Sequence, residues 1–249
     1  MKAVGFWQPG ESTSVIEDLS LPHPSMPKGR DLLIRVRAVA VNPRDLKSRR
    51  NISPSAGNPV VMGYDASGVV EATGPDVTLF RPGDHVFYAG VLDRQGANAE
   101  FQLVDERITG IKPAALSFEA AASVPLTGLT AWEMLFDRLQ LSVNGDADQT
   151  LLMLGGAGGV PCMAIQLART LSRVNIIGTA SRQESVRAVR GFGAALCPGS
   201  FMCACATGCQ PCWTPSHYPD FLNVHHAICL GKYGRNYCPT RPYRTHRRP

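Results

Sequence analysis

Between Thr150 and Arg182 the sequence changes period around a cluster of glycines, and no other stretch constrains the fold as much. Thr150 to Leu154 is a short apolar run suited to a buried strand, and Gly155-Gly156-Ala157-Gly158-Gly159 holds four glycines in five residues. Apolar residues at Val160, Met163, Ala164, Leu167, Ala168 and Leu171 then recur at helical spacing. Val174 to Ala180 is a second apolar run. Strand, glycine turn, helix and strand predict one βαβ unit. The backbone from Gly155 through Val160 is placed to cradle a pyrophosphate at a helix N-terminus. Pro161 stands where a third glycine is usual. Proline is tolerated in a first helical turn, where its missing N–H has no intrahelical partner. It puts in question the close helix–strand approach that the glycine normally allows.

The second strand ends in Thr179-Ala180-Ser181-Arg182, with no acid between Gly155 and Ser181. An acid at this place binds a ribose 2′-hydroxyl, whereas an arginine suits a 2′-phosphate. Ser181 and Arg182 therefore favour NADPH over NADH, since arginine can hold a phosphate through two hydrogen bonds. Ser181-x-x-Glu184 also reads as a capping box for the next helix, which by itself would explain the serine.

The 249 residues suffice for one or two domains with a sizeable core. No apolar run is long enough to span a membrane, and Met1 to Trp7 reads as a strand, not a signal peptide. A cytoplasmic protein is expected. Charge divides the chain. Six of its 25 basic residues and one of its 20 acids lie in residues 201–249, so residues 1–200 are balanced at 19 of each. The basic balance thus says nothing about nucleic acid binding by the body of the chain, and no nucleic acid or membrane partner is expected.

The first 125 residues read as many short strands with Gly/Pro punctuation, which suggests a compact barrel-like β domain. Lys2–Trp7, Ser14–Leu19, Asp31–Val41, His85–Tyr88 and Ala99–Val104 are the expected strands, Asp31–Val41 with a period-2 pattern and one apolar face, and Val60–Thr73 is strand-rich, with bulges or bends suggested at Gly63 and Gly68. Asn42-Pro43-Arg44-Asp45 is turn chemistry that starts a short helix towards Arg49. Ser117–Val124, with Ser117 as N-cap, and Pro125–Leu139 are expected helices.

Four motifs carry a resemblance. They are Ala40-Val41-Asn42-Pro43-Arg44-Asp45-Leu46-Lys47, Gly63-Tyr64-Asp65-Ala66-Ser67-Gly68-Val69-Val70, Phe80-Arg81-Pro82-Gly83-Asp84-His85-Val86, and Ala121-Ala122-Ser123-Val124-Pro125-Leu126-Thr127-Gly128-Leu129-Thr130-Ala131-Trp132. Together with the glycine turn, in this order, they resemble the zinc-free, quinone-oxidoreductase-like branch of the medium-chain dehydrogenase/reductase superfamily. The resemblance covers about residues 1–195. It implies an α/β fold with a β-rich part: a GroES-like β-barrel substrate domain over 1–125 and a truncated Rossmann NADP-binding domain, with its parallel sheet, over 126–200. It implies NADPH in the cleft between them and hydride transfer to a small quinone, enone or carbonyl substrate. By the same resemblance Asn42 lies near nicotinamide and substrate, and Thr127 touches the nicotinamide. Asp45, Lys47 and Tyr64 are candidates for orienting substrate or relaying a proton. An Asx turn at Asn42 and a packed strand tyrosine at Tyr64 are the plainer alternatives. A homodimer through the Rossmann sheet edge is left open.

No metal is expected in the β domain. A catalytic zinc needs three protein ligands. Zinc-bearing relatives carry Gly-His-Glu where this chain reads Gly63-Tyr64-Asp65, and no cysteine precedes Cys162. His23 lies between prolines and His85 follows a turn, so both read as surface histidines.

From about residue 195 the pattern is lost. Only two Rossmann strands are secure, and the third, expected after Gly193, is not apparent in Ala195-Leu196-Cys197-Pro198. Residues 201–249 are basic and rich in Cys and Pro, and are expected to lack fixed structure. The change reads as a reading-frame change or an alternative exon, leaving an impaired enzyme or a non-catalytic fragment. The alternative is a zinc-binding Cys/His module around Cys209-Gln210-Pro211-Cys212.

Overall fold

A computed structural model describes residues 1–196 apart from Ala56, together with the backbone of Ala227 and Ile228. The expectations for the Cys/Pro-rich tail lie outside the described residues, except at that pair. The chain divides into two units, Met1–Thr127 and Gly128–Pro249.

The first unit is antiparallel. Strands β1 (Lys2–Phe6), β2 (Glu17–Ser20) and β4 (Val60–Val61) form a sheet in the order β2-β1-β4. Strands β3 (Asp31–Ala40), β5 (Asp65–Thr73), β6 (His85–Ala89), β7 (Phe101–Asp105) and β8 (Thr109–Ile111) form a second, in the order β7-β3-β5-β6-β8. β3 turns Leu32 and Ile34 into a core shared with Val70, Val86, Tyr88 and Val104, while Arg35 and Arg37 on the opposite parity are exposed. This is the period-2 face that the sequence predicts. One expected boundary moves. The Ser12 hydroxyl accepts from Ser14 N–H at 3.1 Å, which draws Thr13–Val15 into a 3₁₀ turn and delays β2 to Glu17. The strand-rich stretch Val60–Thr73 divides around Gly63, at φ +99°, into two strands belonging to different sheets.

Helix α1 (Pro43–Asn51) follows β3, and helix α2 (Phe118–Ala122) follows β8. Ser117 caps α2, its hydroxyl accepting from Ala120 N–H at 3.2 Å. Helix α3 (Pro125–Trp132) crosses the division between the units. It continues as a π-helical turn, Glu133–Arg138, closed by Leu139 N–H to the Met134 carbonyl.

The second unit is a parallel sheet. β9 (Thr150–Met153), helix α4 (Gly159–Leu171), β10 (Asn175–Gly178), helix α5 (Gln183–Gly191), β11 (Ala195–Leu196) and β12 (Ala227–Ile228) give the strand order β11-β10-β9-β12. The third strand, not apparent in the sequence, is therefore present, over two residues among those described: Ile177 and Gly178 pair with Ala195 and Leu196. Hydrogen bonds from Gly193 N–H to Arg190 O and from Ala194 N–H to Val189 O close α5 and aim the chain back along β10. Despite Pro161, α4 packs well. It buries Ala164, Ile165 and Ala168 with Leu151, Met153, Ile176 and Val189 in one core. Pro161 is the third helical residue, ahead of the first helical bond, Cys162 N–H to Gly158 O at 2.9 Å, so its missing N–H costs nothing.

Candidate functional site

Two constellations can be described, one in each unit. The first forms where β3, α1, β5 and α3 meet. Asn42 ends the β3 connection in extended backbone and is the N-cap of α1, and Pro43 sets the first helical φ. The Asp45 carboxylate reaches back and accepts the Asn42 N–H at 2.7 Å. Asn42 and Asp45 form a capping box, and the Asn42 side chain also reaches β5: its Nδ2 donates to Asp65 Oδ2 at 2.8 Å. Asp65 opens β5 and has no exposed surface. Its other oxygen, Oδ1, accepts the Leu126 N–H of α3 at 2.7 Å.

Burial raises the Asp65 pKa to about 6, against the pull of the Asn42 and Leu126 hydrogen bonds and with a smaller push from the Asp45 charge. Burial also raises the pKa of Asp45, while the backbone N–H groups of Asn42, Asp45 and Gly63 oppose the shift. The Tyr64 hydroxyl shares a buried 2.7 Å hydrogen bond with Ser48 Oγ, and the Arg44 guanidinium stands 5.7 Å from its ring centroid. Beside them a cavity of about 260 Å³ is lined by Asp45, Ser48, Met62, Tyr64, Val91 and Leu92, among others.

Of the predicted residues here, Asn42, Asp45 and Tyr64 are thus buried in one neighbourhood, whereas Lys47 is exposed on α1. Thr127 is half-buried in the first turn of α3, where its hydroxyl is within hydrogen-bond reach of the Ser123 and Val124 carbonyls at 3.2 and 3.1 Å. Sequence reading passed over Asp65 and Ser48 as working groups. A signal for Asp65 was present: it is the one charge in the run Val60 to Val70. Ser48 carried none, since its link to Tyr64 joins two elements 16 residues apart.

The donors in this neighbourhood do not suit a catalytic zinc. The carboxylates accept from protein N–H groups, and the phenol is tied to Ser48. Among the described residues no group of three or more His, Cys, Asp or Glu is arranged to hold a metal ion. His23 and His85 are exposed and lie against aromatic rings, with centroids 4.4 Å from Phe101 and 5.0 Å from Phe118.

The second constellation is the glycine turn between β9 and α4. Gly155 adopts φ +62°, the left-handed region that favours glycine. A Cβ on Gly156 would stand 2.8 Å from Val189 Cγ2 of α5. Thr179, at the end of β10, clamps the turn: Gly155 N–H donates to its Oγ1 and Gly156 N–H to its carbonyl, both at 2.9 Å. Gly158 N–H closes on Gly155 O at 2.8 Å. Gly155, Ala157, Gly158 and Gly159 are exposed and Val160 half-buried, so a ligand can reach this backbone at the start of a thirteen-residue helix. Thr179 is the residue the sequence reading did not credit; it stood within the quoted strand end.

Ser181 and Arg182 are exposed in the bend before α5. The capping box expected at Ser181 does not form. The α5 N-cap is Arg182, whose carbonyl accepts the first helical bond from Val186 N–H at 2.9 Å. The helix starts one residue later than the box requires, so capping no longer accounts for the serine.

A reachable glycine turn at a helix start and a buried amide–carboxylate pair can be set beside known proteins. Residues 28–128 match the alcohol dehydrogenase GroES-like domain. The chain is 43% identical over 198 residues to a zinc-type alcohol dehydrogenase-like protein of Staphylococcus aureus (strain COL), covering 78% of this chain and 58% of that protein. It superposes on a Rhizobium etli CFN 42 protein assigned to the zinc-dependent alcohol dehydrogenases with a TM-score of 0.73 and 50% identity, covering 79% of this chain and 58% of the other. It superposes on an Escherichia coli quinone oxidoreductase complexed with NADPH with a TM-score of 0.68 and 27% identity, at 79% and 58% coverage. The chain thus spans 58% of the length of these relatives. A GroES-like domain followed by a Rossmann-like parallel sheet is the arrangement of the medium-chain dehydrogenase/reductase superfamily, and the solved structures that this chain resembles include members of its quinone-oxidoreductase-like branch.

Proposed function

We propose that the chain serves NADPH-dependent hydride transfer to a quinone or an activated alkene or carbonyl, without zinc. The observation that carries this reading is the glycine turn held under Thr179 and followed by the exposed pair Ser181-Arg182. The cofactor would lie with its pyrophosphate over the turn from Gly155 to Val160, served by the N–H groups of this stretch other than those of Gly155, Gly156 and Gly158, which hold the turn itself, and with its 2′-phosphate on Ser181 and Arg182. NADPH supplies the hydride. The chain's own residues supply position and a proton path. Asn42 and Thr127 are the candidate contacts to the nicotinamide end. The Tyr64–Ser48 hydroxyl pair is suited to passing a proton, since either oxygen can donate. Asp45 holds the start of α1, from which Asn42 and Ser48 are presented. Lys47, being exposed, fits substrate orientation better than a buried relay. Zinc independence is supported by the donor set: a quinone accepts hydride and then a proton, so no Lewis acid is required of these residues. The substrate is a small molecule, and a homodimer remains part of the proposal only by analogy with the family.

Thermal unfolding of the full chain with NADPH, with NADH and without ligand is the test. At a hundredfold excess over its Kd, NADPH should add about 2.7 kcal/mol of stability. Arg182→Ala should lose most of the NADPH shift while leaving any NADH shift unchanged. An equal shift with both cofactors would overturn the NADPH preference, and no shift with either would overturn the cofactor site. NADPH oxidation driven by added quinone should persist in excess chelator; its loss there would overturn zinc independence.

A further inference from the structure

We infer that Asp65 is the positioning residue of this site, its single buried carboxylate holding both Asn42 and the turn of α3 that carries Thr127 in one geometry. The inference rests on the reading of Asn42 and Thr127 as the cofactor-facing pair. Its physical basis is independent of that reading. Asp65 uses one oxygen on Asn42 Nδ2 at 2.8 Å and the other on Leu126 N–H at 2.7 Å. An ionised carboxylate only accepts, so it selects the orientation of the Asn42 amide in which the NH2 end points inward. The Asn42 carbonyl oxygen is thereby committed to the opposite side.

The second bond does for α3 what its own sequence cannot. Val124 precedes the helix and Pro125 has no N–H, so neither offers a side-chain cap or a first-turn donor. Leu126 N–H is an orphan donor of the first turn, and Asp65 satisfies it from 61 residues away. Negative charge is favourable at that helix end. Thr127 is the next residue, so its placement follows from this contact. The partners of Asp65 across the sheet, Ala40 on β3 and Ala89 on β6, bring no charge. The charged neighbour is Asp45 of α1.

Asp65→Asn separates position from packing. It keeps the volume and can still accept from Leu126 N–H through its carbonyl oxygen. Its NH2 then meets the Asn42 NH2, and the Asn42 amide must turn. A carboxylate that merely filled space would leave that amide alone. The experiment is to follow the Asn42 side-chain NH2 signals of the full chain, labelled with ¹⁵N-asparagine, from pH 4.5 to 8. In the wild type they should shift with a midpoint near the Asp65 pKa of about 6. In Asp65→Asn they should start at a new position and lose the titration. Asn42 signals that ignore both pH and the substitution would overturn the inference.

A functional arm adds the readout that a structural role would not move. Asp65→Asn should lower kcat by about ten- to a hundredfold with the melting temperature at pH 7 unreduced. Asn42→Ala should cost about as much, and the double variant no more than either. Wild-type turnover in Asp65→Asn, or additive losses, would overturn the positioning role. If the wild type bound no NADPH, the proposed function would fall instead, and the amide titration would decide the inference alone.

Discussion

Asp65 and Glu106 are both carboxylates without exposed surface, and their surroundings push them in opposite directions. Burial works against ionising Glu106 too. It is outweighed by Leu79 N–H at 2.8 Å, Thr78 N–H at 2.9 Å and Arg30 Nη1 at 2.6 Å, and the pKa is lowered. For Asp65 burial wins, and the pKa rises from 3.8 to about 6. The signs for stability follow. Glu106 contributes stability that is present above its unfolded pKa and lost as pH falls through the folded one. Asp65 does the reverse: its share is full below pH 3.8 and is lost as pH rises through about 6. The shift corresponds to about 3 kcal/mol. The unfolding free energy of Asp65→Asn minus that of the wild type should therefore climb by about that amount between pH 3.5 and 8. A flat difference in urea titrations across this range would show that Asp65 is not desolvated. Glu106→Gln should remove part of the acid sensitivity, read as a smaller loss of melting temperature below pH 4.5. At this scale the sequence was half legible. A carboxylate in the apolar run Val60 to Val70 can be seen by eye, but its two partners, 23 residues before it and 61 after it, cannot.

At the scale of elements, the glycine turn shows local chemistry and packing acting on adjacent residues. Gly155 needs its left-handed φ for the turn itself, which spacing alone suggests. Gly156 is needed because α5 passes over it, with Val189 in the way of any Cβ. Gly156→Ala should destabilise the parallel-sheet unit by about 1–3 kcal/mol, seen as a lower urea midpoint. Trimming the obstacle as well, with Val189→Ala, should recover part of the loss caused by Gly156→Ala. An unchanged midpoint in the single variant would mean that α5 yields freely. Pro161 teaches the converse. The motif reading made it a blemish, yet α4 buries Ala164, Ile165 and Ala168 behind it. A first-turn proline gives up no helical hydrogen bond. The displaced capping box at Ser181 has a similar origin. Its residues are correctly spaced, but the backbone chose Arg182 as the cap.

For the whole molecule, the two units differ in how their sheets are secured. β3 is ten residues long and paired on both sides, with β5 and β7. Among the described residues, β11 offers two residues, and they pair with β10. Native-state hydrogen exchange should find the amides of β3 and β5 the slowest and those of β11 close to unprotected. Equal protection across both sheets would contradict this. The sequence by itself determined the class of each unit, because period-2 strands with Gly/Pro turns and a strand–glycine–helix–strand succession are local patterns, set by backbone geometry over a few residues. It also determined the absence of thiolates ahead of Cys162 and of an acid between the glycine turn and Ser181. Only the tertiary structure decided that Asn42, Leu126 and Asp65 share one carboxylate, that Tyr64 meets Ser48, and that Thr179 clamps Gly155 and Gly156. Each of those bonds joins residues separated by 16 to 61 positions. Such pairings depend on how strands register and helices dock, which no single stretch of the chain encodes.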